Sequence, residues 1–140
     1  MKHIILVSIL FLSSLFASEL NWSNDYKKAL QIAKKEKKDV YVLVTSDSCR
    51  WCRKFENTTL QNEEILDLLR LKYVLVHADR DRDYLPKNFN TKAVPRHYFV
   101  TAEENIIFTF LGYWDEFDFK SYLRDVDNER AIKVKKGEIK

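Results

Sequence analysis

The sequence predicts an α/β fold: a mixed four-stranded sheet flanked by helices, with an extra helix at the N-terminal side. Val40 to Thr45 and Tyr73 to Ala78 are continuous β-branched and aromatic runs of strand length, the pattern of strands buried on both faces and paired in parallel. Helical periodicity fills the stretch between them, which supplies the crossover that a parallel pair requires. Arg96 to Thr101 and Ile106 to Leu111 are two further apolar runs, joined through Glu103-Glu104-Asn105, and they read as a β-hairpin.

Taken in order, the chain opens with Lys2 and His3, an apolar stretch from Ile4, and smaller residues leading to Ala17. That composition is a secretory signal peptide, and it falls short of the roughly 20 residues that span a bilayer. Residues 1–17 are therefore expected to be removed and residues 18–140 to form one domain. The mature protein is expected to be periplasmic and monomeric, without stable membrane insertion.

Beyond the signal, Tyr26, Ala29, Leu30 and Ala33 recur at helical spacing, with Ser23 or Asn24 able to cap the helix and Lys38 near its end. After the first strand, Asp47 or Ser48 can cap a helix that begins at the cysteines, carries Trp51 and Phe55 inward and stops around Asn57-Thr58-Thr59. Asn62 caps a second stretch with the apolar face Ile65, Leu66, Leu68 and Leu69. The second strand closes on the charged run Asp79 to Asp83, and a short helix is expected around Tyr84 to Phe89. Val94-Pro95 introduces the hairpin and Gly112 ends it. Phe119, Tyr122, Leu123 and Val126 then mark a last amphipathic helix before a polar tail.

A chain of 140 residues, 46% hydrophobic and 14% aromatic, can bury one core. Its net charge of +3 is too small to argue for nucleic acid as a partner. The basic runs Lys34 to Lys38 and Lys133 to Lys136 read as a solvated helix face and a solvated tail. The two cysteines, Cys49 and Cys52, stand two residues apart. A bond between them would close almost no loop and so add little stability. Their value must be chemical. A zinc or copper site would need further ligands, and His77 and His97 lie on predicted strands. Covalent haem would want His after the second cysteine, where this chain has Arg53. No cofactor is expected. Trp22, Tyr113 and Trp114 read as core or domain-edge aromatics.

Trp22, the strand Val40 to Val44, the centre Ser46-Asp47-Ser48-Cys49-Arg50-Trp51-Cys52-Arg53-Lys54, Asp79, Val94-Pro95 and Gly112 together resemble the thioredoxin superfamily, and in particular its exported members. The resemblance spans about Trp22 to Val126 and implies a thioredoxin-like fold with a redox-active Cys49/Cys52 pair. Thiolate is the nucleophile in such chemistry, and a helix N-terminus stabilises it through unpaired amides and the helix dipole. Cys49 holds that position, and Arg50, Arg53 and Lys54 add positive charge. Its pKa should lie below the roughly 8.5 of a free cysteine. Cys49 would attack a client disulfide, and Cys52 would resolve the mixed disulfide, leaving Cys49–Cys52 oxidised.

The resemblance further implies a cis peptide bond before Pro95, with Trp51, Val94, Pro95 and Arg96 around the place where an extended client segment would bind. Three departures from the commonest family pattern stand out. Leu43 and Leu75 replace the proton-handling pair, Arg96 follows the proline where Thr is common, and Arg50-Trp51 is an unusual dipeptide between the cysteines. The expected activity is protein thiol–disulfide exchange, more in the reducing direction, served by a membrane or soluble redox donor. The alternatives are a disulfide oxidase or isomerase, or a binding or chaperone-like module whose cysteines do not turn over.

Overall fold

A computed structural model describes residues 22–140. The expected signal segment, residues 1–17, lies outside the described residues. The elements run α1 (Tyr26–Glu36), β1 (Asp39–Thr45), α2 (Arg50–Asn57), a 3-10 turn (Thr59–Gln61), α3 (Glu63–Lys72), β2 (Tyr73–Asp79), β3 (Arg96–Val100), β4 (Ile106–Leu111) and α4 (Glu116–Lys135). The sheet order is β2-β1-β3-β4, with β1 and β2 parallel and the other pairings antiparallel. This is the mixed four-stranded, helix-flanked architecture expected, with α1 as the additional helix. Ser23 extends the sheet by one parallel bridge: its N–H donates to the Leu75 carbonyl at 3.0 Å and its own carbonyl accepts from the His77 N–H at 2.9 Å.

Strand alternation sorts the core into two layers. Val40, Val42, Val44, Val76 and Tyr98 face α1, whose Tyr26, Ala29, Leu30 and Ala33 complete that layer together with Phe89. Tyr41, Leu43, Leu75 and Phe99 face the other helices and meet Phe55, Ile65, Leu69, Phe119 and Leu123. Leu43 and Leu75 are thus ordinary apolar members of this second layer.

Local chemistry set several boundaries differently from the expectation. Asp25, not Ser23 or Asn24, caps α1 by accepting from the Lys28 N–H at 3.0 Å, while Ser23 Oγ accepts from the Asp25 N–H. Cys49 itself caps α2, because its Sγ reaches the Cys52 N–H at 3.1 Å and displaces Asp47 and Ser48 from that role. Trp51 is 45% exposed and does not point inward; the inward positions of α2 are Cys52 and Phe55, three apart. Asn62 caps α3 as expected.

The segment Tyr84 to Phe89 forms turns rather than a helix. Pro86 disfavours helical backbone at Leu85 and lacks an N–H, leaving a single turn closed by Phe89 N–H to the Pro86 carbonyl. Conversely α4 continues through Lys133 and Lys135, so this basic run is helix and not tail. It meets no breaker before Gly137, whose φ of 73° lets the Glu138 N–H return to the Lys133 carbonyl. Lys133 Nζ also donates to the Ile106 carbonyl at 2.9 Å, tying α4 to β4.

The most consequential core residue is His97. It is fully buried among Phe55, Phe110 and Phe119, with Tyr41 stacked beside it. Burial lowers its pKa to about 3, so the ring is neutral. Its Nε2 lies 2.9 Å from the Gly112 carbonyl, which can only accept, so Nε2 carries the proton. Nδ1 then accepts from the Tyr41 hydroxyl at 2.8 Å. Gly112, at φ 104°, returns its own N–H to the Pro95 carbonyl at 2.8 Å.

The sign of the resulting pH dependence follows directly. Unfolded histidine titrates near 6.5 and this one near 3, so the unfolded state binds more protons between those values. The stability due to the neutral ring is complete above pH 6.5 and falls by about 1.4 kcal/mol per unit as pH drops towards 3. Denaturant unfolding of wild type and His97→Phe across pH 7 to 4 should therefore show the stability difference shrinking with acidification. A difference independent of pH would contradict this assignment.

Candidate active site

Strand β1 delivers the chain to Ser46, and the Cys49 N–H donates back to the Ser46 carbonyl at 3.1 Å before α2 begins. That turn puts both sulfurs at one helix N-terminus. Cys49 and Cys52 form a disulfide with their Cα atoms 5.3 Å apart. Cys49 is half-buried, whereas Cys52 is 1% exposed. A partner therefore has access to the first sulfur, while the second is reached from within.

On one flank of the pair a cleft of about 290 Å³ is lined by Trp51, Val94, Pro95, Gly112 and Tyr113. The Val94–Pro95 peptide bond is cis. Trp51 and Tyr113 face each other with ring centroids 5.9 Å apart, and Lys54 Nζ lies over both rings, 4.5 Å from the Tyr113 centroid. Arg50 stands 5.0 Å over the Trp51 ring. Three predicted residues, Trp51, Val94 and Pro95, are thus brought together. The fourth, Arg96, is not: its Nε donates to Thr109 Oγ1 at 3.1 Å and its guanidinium stacks near Tyr98. Alternation along β3 sends it to the face opposite His97. Arg53 turns from the cleft as well, donating to the Asp47 carbonyl at 2.9 Å. It remains on the first turn of α2.

The other flank opens into a polar cavity of about 380 Å³ whose wall includes Cys52, Thr45, Glu56, His77 and Asp79. His77 Nε2 lies 2.8 Å from Glu56 Oε1 and 3.0 Å from Thr45 Oγ1. The Trp22 indole packs edge-on against the same imidazole, centroids 6.1 Å apart. Asp79 is held at the rim, its side chain accepting from the Asp81 N–H and pairing with Arg82 at 3.3 Å. Behind this wall, burial raises the Tyr41 hydroxyl well above its usual pKa, with the Glu56 charge adding to the effect.

Sequence reading missed Tyr113, Glu56 and the placement of His77. Tyr113 carried a signal in following Gly112 directly, at the point where the chain leaves β4. Glu56 carried one too, since four positions beyond Cys52 puts it on the same helix face. For His77 the signal was faint, because a histidine on a strand usually has no role beyond packing.

Comparison with known proteins agrees with this fold. Residues 21–102 match a family model described as thioredoxin-like. Among curated proteins, spermatogenesis-associated protein 20 of Rattus norvegicus is 37% identical over 62 residues, 44% of this chain but 8% of that protein. The chain therefore spans only a small part of that relative's length. Among solved structures, the oxidoreductase DsbH superposes with a TM-score of 0.61 at 19% identity, covering 87% of this chain and 92% of that one. The oxidised DsbD C-terminal domain of Neisseria meningitidis gives 0.60 at 20% identity, covering 71% and 90%. With more than half of its length matched by the family model, and with the fold shared by these structures, the chain belongs to the thioredoxin-like family.

Proposed function

We propose that this protein is an extracytoplasmic thiol–disulfide oxidoreductase that acts on protein clients, working as a reductant. The observation that carries the reading is the asymmetry of the pair: Cys49 is accessible and caps a helix N-terminus, while Cys52, bonded to it, is buried.

In the reduced protein the Cys49 thiolate would sit where its Sγ already accepts an amide hydrogen bond, and where Arg50, Arg53 and Lys54 concentrate positive charge. It attacks a client disulfide, forming a mixed disulfide and expelling one client thiolate. Cys52 then attacks Cys49 Sγ, restores the intramolecular disulfide and releases the second client thiolate. The apolar cleft supports protein clients: Val94 and the cis proline offer extended backbone, and Trp51 with Tyr113 offers flat aromatic surface. A membrane or soluble redox donor would regenerate the dithiol. The extracytoplasmic setting rests on the signal-like composition of residues 1–17, and the reducing direction on the resemblance to exported thioredoxin-like proteins.

Four measurements test this. In reduced protein, alkylation of Cys49 should follow a pKa below about 8.5, whereas an unshifted value would favour a module that does not turn over. Cys52→Ser should trap mixed disulfides on Cys49 in the native host, and a variant that traps nothing would count against protein clients. The reduction potential should lie well below about −120 mV, since a value near or above it would mark an oxidase. Replacing Trp51 or Tyr113 with Ala should lower kcat/KM for reducing disulfide-bonded insulin roughly tenfold, the worth of one buried aromatic contact, while leaving reactivity toward a small disulfide unchanged.

A further inference from the structure

We propose that Glu56 takes up the proton of Cys52 during the resolving step and that His77 is the positioning residue that holds it for this task, a proposal that rests on the exchange reading above. Cys52 is buried and must lose its thiol proton before it can attack. Leu43 and Leu75 lie in the apolar layer of the core and offer no proton acceptor. The structure supplies one from another direction. Glu56 follows Cys52 by one helical turn on the same face of α2, and both line the polar cavity.

A carboxylate there needs to be oriented and connected to water. His77 provides the first. Glu56 Oε1 can only accept, so His77 Nε2 carries the hydrogen and donates it at 2.8 Å, with Thr45 Oγ1 at 3.0 Å as a second acceptor. The packed Trp22 edge keeps the ring in that orientation. Water is reached because the Glu56 side chain is 29% exposed and the His77 side chain 40%. Other charged or titratable groups face the pair from each surrounding element: Tyr41 from β1, Asp79 from β2, Arg53 from α2, and Asp47, Arg82 and Asp83 from the loops. Arg82 pairs with both Asp47 and Asp79, and Asp83 accepts from the Asp79 N–H, so these acids are engaged among themselves.

The step balances as follows. A mixed disulfide joins Cys49 Sγ to a client sulfur. The Cys52 thiol gives its proton to the Glu56 carboxylate, and the resulting thiolate attacks Cys49 Sγ. The Cys49–Cys52 bond forms and the bond to the client sulfur breaks, its electron pair leaving on the client thiolate. Over both exchange steps the protein's thiols lose two electrons and the client disulfide gains them. Glu56 then releases its proton to water in the cavity. On re-reduction Glu56 takes a proton back from cavity water and passes it to the Cys52 thiolate.

Stopped-flow reaction of reduced protein with the aromatic disulfide dithiobis-nitrobenzoate separates the two steps, because its leaving thiolate is coloured and needs no proton. The first release, from attack by Cys49, depends on reagent concentration; the second, from resolution by Cys52, does not. Glu56→Gln should slow the second phase roughly 10- to 100-fold at pH 7, at the lower end of what a positioned base contributes, and leave the first within about twofold. The deficit should fade at higher pH, as the Cys52 thiol begins to ionise unaided, which its burial delays beyond the roughly 8.5 of a free cysteine. His77→Phe should slow the same phase by a smaller factor, and His77→Gln, which keeps an N–H donor, should recover most of it.

An unchanged second phase, equal slowing of both phases, or a deficit that persists at high pH would overturn the proposal. If Glu56→Gln does not fold, Glu56→Asp keeps the charge but withdraws the carboxylate by one methylene; a slowed second phase is again expected, and an unchanged one overturns it. Wild-type protein that releases only one equivalent would instead defeat the exchange reading itself.

Discussion

A polar ring in the middle of an aromatic core is tolerated only if both of its nitrogens are satisfied, and the way His97 meets that condition organises the protein. One nitrogen takes the Tyr41 hydroxyl of the central strand and the other gives its hydrogen to Gly112. Gly112 in turn holds Pro95. The interior of β1 is thereby joined through three residues to the wall of the aromatic cleft, and the backbone that presents Val94 and Tyr113 inherits the rigidity of the core. A phenylalanine would fill the same space, but it would leave the half-buried Gly112 carbonyl and the buried Tyr41 hydroxyl without this partner, the latter costing about 1–3 kcal/mol.

The same economy is visible at the cysteines. Helix α2 has no Ser, Thr, Asp or Asn at its cap; the acceptor is the sulfur of Cys49. The atom proposed to react is also the atom that satisfies one of the free amides in the first turn of the helix, so an anion there would gain the hydrogen bond and the helix dipole together. On either side of this point the surface divides by polarity. An aromatic cleft is lined by Trp51, a residue between the two cysteines, and a cavity with ionisable walls backs the buried sulfur. Recognition and proton management would then occupy different flanks of one short helix.

Much of this could be read from residue order alone. The β-branched runs at Val40 and Tyr73 set the parallel pair, Gly112 and the acidic turn at Glu103 set the hairpin, and the cysteines between a strand and a helix located the centre. The differences each have a physical cause. Trp51 was assigned inward because aromatic side chains usually are, but only Cys52 and Phe55 occupy the buried face of so short a helix. The segment Tyr84 to Phe89 has helical composition, but Pro86 restricts it to a turn. Arg96 sits next to Pro95 in sequence, yet strand alternation carries it to the other side of the sheet. Glu56 and His77 meet across a helix and a strand, and no local pattern announces a contact of that kind.

The bridge made by Ser23 bears on how this sheet borders its surroundings. An unpaired strand edge invites pairing with another chain, and β2 would be such an edge on the side away from β1. Ser23 occupies backbone groups of Leu75 and His77 midway along it. A foreign strand could not lie down in register there without first peeling off the segment that also carries Trp22. At the opposite border, Lys133 takes the Ile106 carbonyl at the start of β4 and places a charge where an intruding strand would begin. Both ends of the sheet are thus guarded against edge-to-edge aggregation, by a stub of backbone on one side and a lysine on the other.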